Sequence, residues 1–124
     1  MERVLVVDDD PQVLSLTTRF LRGAGFDVVA SNEFRDARMQ MEVCAPSVVV
    51  ADIRLGGYNG LQLCILARQV REDVGVVIIS GYDDVVLQRD IRRIGAEYLP
   101  KPFGRADLLA AVERAKARSA ALSG

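Results

Sequence analysis

Three aliphatic runs, Val4–Val7, Val48–Ala51 and Val76–Ile79, contain no polar residue, and each is cut off by one: Asp8, Asp52 and Ser80. A strand with one wet face alternates apolar and polar residues, so a strand without alternation is buried on both faces. Such strands belong in a parallel sheet, whose crossover connections are helices covering both sides.

The intervals between the runs carry the helices this requires. Asp10 and Pro11 supply an N-cap and a first-turn proline. Val13, Leu14, Leu16, Thr17, Phe20 and Leu21 follow at near-helical spacing until Gly23 and Gly25. Phe26–Ala30 predicts a second strand and Glu33–Val43 a second helix. Leu55–Gly60 reads as a loop and Leu61–Arg71 as a helix, with Leu61, Leu63, Cys64, Ile65 and Leu66 available for burial. A fourth helix is expected from about Asp83 to Ile94, a short strand at Glu97–Leu99, a last helix over Asp107–Arg118, and a fraying tail from Ala120 to Gly124. Five βα units joined by right-handed crossovers predict an α/β, flavodoxin-like (βα)5 three-layer sandwich with a parallel five-stranded sheet of order 2-1-3-4-5. With 124 residues, half of them apolar, the expectation is one domain over 1–124.

Composition narrows the chemistry. The 16 basic and 17 acidic residues leave a net charge of −1, so no global field draws the chain to nucleic acid or an anionic membrane. No apolar run approaches the roughly 18 residues of a membrane span, and the first residues are not a secretory signal; a cytoplasmic location is expected. There is no histidine, and Cys44 and Cys64 lack metal-site spacing. Zinc sites and histidine-assisted nucleophiles are thereby excluded, and both cysteines read as small buried hydrophobes. Any chemistry falls to carboxylates, hydroxyls, lysine and arginine.

In open parallel sheets, ligands bind outside the carboxyl ends of the strands. Asp8, Asp9 and Asp10 follow the first strand, Asp52 the third, Ser80 the fourth and Lys101 the fifth. Singly, each has an ordinary structural reading: acids before a helix cap it and match its dipole, and Asp or Ser-Gly after a strand makes a turn. Together they bring carboxylates, a hydroxyl and an ammonium to one rim. Clustered carboxylates repel unless a cation neutralises them, and oxygen ligands with room for water suit Mg²⁺. Those are the parts for phosphoryl transfer to a carboxylate. No phosphate-binding glycine loop follows the first strand, so a nucleotide is not indicated.

The residues resemble the response-regulator receiver family over essentially the whole chain. The resemblance rests on Val6-Val7-Asp8-Asp9-Asp10-Pro11, Val50-Ala51-Asp52-Ile53-Arg54, Asn59-Gly60-Leu61, Ile78-Ile79-Ser80-Gly81, Gly95-Ala96-Glu97-Tyr98-Leu99 and Pro100-Lys101-Pro102-Phe103. It implies that Asp52 is the phosphoacceptor and that Asp8 and Asp9 hold Mg²⁺, completed by an Asp52 oxygen and the Arg54 carbonyl. Ser80 would follow the phosphoryl group, Lys101 would pair with its oxygens, and Tyr98 would be the switch aromatic. Asp10 would remain a helix cap, and the Lys101–Pro102 bond would be cis. Arg54 and Tyr82 would tune the lifetime of the phosphorylated state. The face of helix four, strand five and helix five, including Val85, Val86, Arg89, Arg93, Leu109 and Val112, would change on phosphorylation and bind a partner or a second copy, giving a possible homodimer. The implied donor is a sensor histidine kinase or phosphotransfer protein; neither nucleic acid nor membrane is an expected partner. The family usually has Pro at Gly56, Asp at Asn59, and Asp, Asn or Ser at Gly104, changes that alter loops without removing a catalytic group.

Two rival readings are weaker. A haloacid-dehalogenase-like phosphatase would use Asp8-x-Asp10, but Gln12 departs from its motif and no acidic pair follows a strand after Lys101. A receiver-fold module that is never phosphorylated usually lacks one of the required groups, and here all are present. A stand-alone regulator and a domain of a larger protein both fit.

Overall fold

The computed structural model describes residues 2–81 and 85–123. In chain order these form β1 (Arg3–Val7), α1 (Pro11–Gly23), β2 (Asp27–Ser31), α2 (Phe34–Cys44), β3 (Val48–Asp52), β4 (Arg54–Leu55), β5 (Tyr58–Asn59), α3 (Gly60–Val70), β6 (Gly75–Ser80), α4 (Val85–Arg93), β7 (Glu97–Pro100) and α5 (Arg105–Ser123). The main sheet runs β2-β1-β3-β6-β7 with every pairing parallel, which is the expected 2-1-3-4-5 order once β4 and β5 are set aside.

The unalternating runs are buried on both sides, as their composition requires. Leu5, Val7, Val49, Ala51, Val76 and Ile78 pack with Met41 of α2, Leu63 of α3 and Ile91 of α4. Their neighbours Val4, Val6, Val48, Val50, Val77 and Ile79 pack with Leu21 of α1 and Leu108 and Val112 of α5. Each strand thus contributes alternate residues to two separate cores, one under each helical layer.

Helix ends follow local chemistry. Asp10 caps α1, its Oδ1 accepting from the backbone N–H of Gln12 at 2.9 Å and of Val13 at 3.4 Å. At the end of α4, Gly95 has φ +76°, a left-handed conformation that glycine adopts without a Cβ clash. There the N–H of Gly95 reaches Arg92 O and that of Ala96 reaches Ile91 O, closing the helix.

Several expectations are corrected. Leu55–Gly60 is not simply a loop: β4 and β5 pair antiparallel as a small hairpin, and Gly60 already begins α3. Asn59 closes a reciprocal capping box with Gln62, each side chain accepting the other's backbone N–H at 3.0 Å. Asn59, where the family usually has Asp, thus serves as the helix cap, a position both residue types fill well. Strand two begins at Asp27 rather than Phe26, and α5 runs from Arg105 to Ser123, longer at both ends than the expected Asp107–Arg118. Ala117, Ala120 and Ala121 favour that continuation, with no breaker before Gly124. Ile65 is exposed and Cys44 only half-buried, while Cys64 is buried. Val112, placed on the switch surface, is fully buried, and Leu109 packs partly against the same core; α5 turns the stripe containing them toward the sheet. The start of the fourth helix at Asp83 lies outside the described residues.

Candidate phosphoacceptor site

The rim at the carboxyl ends of the strands brings together most of the side chains singled out above. Asp8 follows β1 and is 1% exposed, Asp52 ends β3 at 7%, and Ser80 ends β6 at 0%. Asp9 is exposed. One carboxylate oxygen from each of Asp8, Asp9 and Asp52 lies within 4.8 Å of the others.

Backbone bonds hold the scaffold in register. Ile53 N–H donates to Ile79 O at 2.9 Å and Gly60 N–H to Ile53 O at 2.8 Å, folding the hairpin back under the rim. Lys101 N–H donates to Ser80 O at 2.8 Å, tying the loop after β7 to the end of β6. The Lys101–Pro102 peptide is cis, as the resemblance implied. Within the site, Asp52 Oδ1 accepts from Arg54 N–H at 2.9 Å, and Oδ2 accepts from Lys101 Nζ at 2.5 Å. Lys101 Nζ also stands 3.8 Å from Asp8 Oδ2.

The electrostatics leave a deficit of positive charge. Burial pushes the Asp8 carboxyl up to about 6; the Asp10 N–H on its Oδ1 and Lys101 oppose this, whereas Asp52 and Asp9 reinforce it. Burial alone would lower the Lys101 ammonium, but the hydrogen bond to Asp52 and the charges of Asp8 and Asp52 outweigh it and hold it above its ordinary value. One ammonium among these carboxylates does not satisfy them: Asp8 Oδ2 is buried with no hydrogen-bond donor among the described residues. An orphaned buried carboxylate oxygen beside two others is the donor set of a hard divalent cation, so the residues fit Mg²⁺.

Arg54 opens β4 and is exposed, and Tyr98 is half-buried in β7, packed against the core that holds Ile91. Tyr82 lies outside the described residues. Val85, Val86, Arg89 and Arg93 are exposed on α4, as expected for an outward face.

One supporting residue escaped the sequence reading. A Cβ built on Gly60 would stand 2.6 Å from the Asp52 carbonyl oxygen and 3.2 Å from its carbonyl carbon. Only glycine lets α3 start this close to the Asp52 backbone. The signal was present in Asn59-Gly60-Leu61, but its reason is a contact between segments, which no local pattern states.

The profile of the response regulator receiver domain family matches residues 4–113. The DNA-binding response regulator MtrA of Mycolicibacterium smegmatis is 35% identical over 120 residues, covering 94% of this chain and 51% of that protein. The transcriptional regulatory protein AruR of Pseudomonas aeruginosa is 37% identical over 120 residues, covering 92% of this chain and 48% of its own. The chain thus spans about half the length of these relatives. Among solved structures, a CheY-like response regulator receiver domain protein from Methanospirillum hungatei has a TM-score of 0.88 at 24% identity, over 100% of this chain and 99% of that one. A putative response regulator from Chloroflexus aurantiacus has a TM-score of 0.85 at 28% identity, over 94% and 98%. Sheet order, rim and matched residues agree: the chain belongs to the response regulator receiver domains of two-component systems.

Proposed function

We propose that this receiver is a phosphoacceptor switch that takes a phosphoryl group onto Asp52 from the phosphohistidine of a sensor kinase or phosphotransfer protein. The observation that carries the reading is the convergence of the Asp8, Asp9 and Asp52 carboxylates with Lys101 at one rim. An Asp52 carboxylate oxygen attacks phosphorus, an O–P bond forms, the P–N bond to the donor imidazole breaks, and the imidazole departs with the electron pair. Asp8 and Asp9, with an Asp52 oxygen and the Arg54 carbonyl, would hold Mg²⁺, which when bound neutralises charge on the carboxylates and the incoming phosphoryl oxygens. Lys101, now on Asp52 Oδ2, turns to a phosphoryl oxygen and keeps a cation beside the developing charge.

Ser80 and Tyr98 read the modification. A hydrogen bond from the Ser80 hydroxyl to a charged phosphoryl oxygen is worth ~1.5–3 kcal/mol, a roughly tenfold to hundredfold shift between two pre-existing conformations. Tyr98 would turn into the space Ser80 vacates, changing the α4–β7–α5 face that contacts a partner or output. The chain acts on itself and turns over no separate substrate. We read 1–124 as one receiver domain working in the cytoplasm; no described helix is long and apolar enough to cross a membrane.

The test is incubation with acetyl phosphate and Mg²⁺, followed by intact-mass analysis. One phosphoryl adduct is expected, lost in Asp52→Asn and without divalent metal. Labelling that persists in Asp52→Asn would remove the assignment, and an unlabelled wild type would favour a phosphorylation-independent module.

A further inference from the structure

The chemistry of α4 sorts sharply between its two faces. Ile91 is fully buried, and Leu87 and Ile94 pack against the same core. On the other side stand Val85 and Val86, 68% and 63% exposed, followed at helical spacing by exposed Arg89, Arg92 and Arg93. No ion pair among the described residues engages these three arginines. Cations in a last helical turn complement the dipole, which gives Arg92 and Arg93 an ordinary structural reason. That reason does not reach Arg89 in mid-helix, nor two adjacent valines left in water.

The positive charge continues over the neighbouring elements. Together α4, β7 and α5 hold seven basic side chains against four acidic ones, in a chain whose net charge is −1. Most of the acids are already engaged. Glu97, 8% exposed, accepts from Arg114 at 3.1 Å and from Arg118. Asp107 accepts the Gly104 N–H at 3.0 Å, and Glu113 lies 3.5 Å from Lys116. A two-fold dimer through this surface would set it against itself. Two patches of net positive charge would then face each other, with Asp90 the one acid among the face's described residues outside these pairings. Like charges brought together across an interface oppose association.

We infer that the outer face of α4 docks an acidic amphipathic segment of another protein rather than a second copy of this chain. Val85 and Val86 take its apolar side chains, and Arg89, Arg92 and Arg93 its carboxylates. The inference rests on the reading of α4–β7–α5 as the output face, and it supplies the partner's chemistry. The valines decide for protein over nucleic acid: a phosphate backbone binds by charge and offers nothing to exposed aliphatic side chains.

The probe is a synthetic helical peptide with leucine on one face and glutamate flanking it, titrated into ¹⁵N-labelled protein before and after acetyl phosphate treatment. Amide shifts should map to α4 and weaken with salt, while a lysine-for-glutamate peptide shifts nothing. The exposed pair Arg89→Glu with Arg93→Glu should weaken binding about tenfold while leaving Asp52 labelling intact. Sedimentation should find a monomer in both phosphorylation states. A dimer that forms on phosphorylation and is lost in the arginine variant would overturn the inference. So would silence toward the acidic peptide, or a short DNA duplex that binds the same residues as tightly. Intact mass in the same samples separates this result from the phosphoacceptor reading. Peptide binding without an adduct sinks only the latter, and an adduct without peptide binding sinks only the former.

Discussion

Lys101 places its ammonium 2.5 Å from Oδ2 of Asp52, although the two residues are 49 positions apart in the chain. The same ammonium is 3.8 Å from the Asp8 carboxylate. It therefore compensates charge on two buried acids carried by two different strands. Replacing it should be felt first in the metal-free protein, because both acids then lose their cation. Lys101→Met is expected to cost roughly 1.5–3 kcal/mol at neutral pH. Urea unfolding should show that gap narrowing in millimolar Mg²⁺, and intact-mass analysis after acetyl phosphate should find phosphate uptake reduced. Equal stability of wild type and variant without metal would show that the contact compensates nothing.

Mg²⁺ itself should stabilise the fold by mass action, about 1.4 kcal/mol at ten times its Kd. Asp9 is exposed and Asp8 buried, so Asp9→Asn leaves the apo fold nearly unchanged and isolates the metal effect. The variant's thermal midpoint should no longer rise with Mg²⁺. A wild-type melt indifferent to the metal would argue against the site.

Gly60→Ala should invert the usual helix rule. Alanine for glycine in a helix ordinarily gains up to about 1 kcal/mol, but here the added Cβ would sit 2.6 Å from the Asp52 carbonyl oxygen. A loss of roughly 1–3 kcal/mol is expected, together with slower labelling of Asp52. Asn59→Ala removes the adjacent cap and should cost about 1 kcal/mol. A stabilised Gly60→Ala protein would show that the close approach imposes no constraint.

Acid stability should report on Glu97. Burial alone would raise its carboxyl, but hydrogen bonds and charge from Arg118 and Arg114 outweigh burial and hold it below its ordinary value of 4.5. A carboxyl whose folded value lies below its unfolded one stabilises the protein above the unfolded value. That stability is lost as pH falls through the folded value. Wild type should therefore exceed Glu97→Gln in stability at pH 7, and the difference should shrink below pH 4.5. A pH-independent difference would place the effect in packing.

The lifetime of the acyl phosphate should depend on Arg54 and Tyr82. Arginine only donates hydrogen bonds and cannot act as a base toward attacking water, and a tyrosine at position 82 offers neither a carboxylate nor an amide to orient that water. Arg54→Asn with Tyr82→Glu should speed phosphate loss about tenfold, ~1.4 kcal/mol of barrier. Unchanged decay of the adduct in timed mass spectra would shift attention to the Gly56-Gly57 loop.

Short-range chemistry, which residue order carries in full, accounts for the strands, the rim and the first helix start. Val4–Val7, Val48–Ala51 and Val76–Ile79 had to be doubly buried strands, because a strand without alternation has no wet face. Their polar stops placed Asp8, Asp52 and Ser80 on one rim, because parallel strands end on the same side. Asp10-Pro11 had to start a helix for reasons contained in one turn. How those pieces meet depends on packing between distant segments. Helical periodicity shows that α5 has an apolar stripe, but only the packing angle on the sheet puts Val112 in the core rather than on the surface. Gly60 reads as flexibility until α3 is seen against the Asp52 carbonyl, and Glu97 reads as an ordinary surface acid until Arg114 and Arg118 close over it. Asp8 Oδ2 becomes an orphan only when burial removes water from it. In each case the deciding term is a distance between segments remote in the chain, which residue order does not carry.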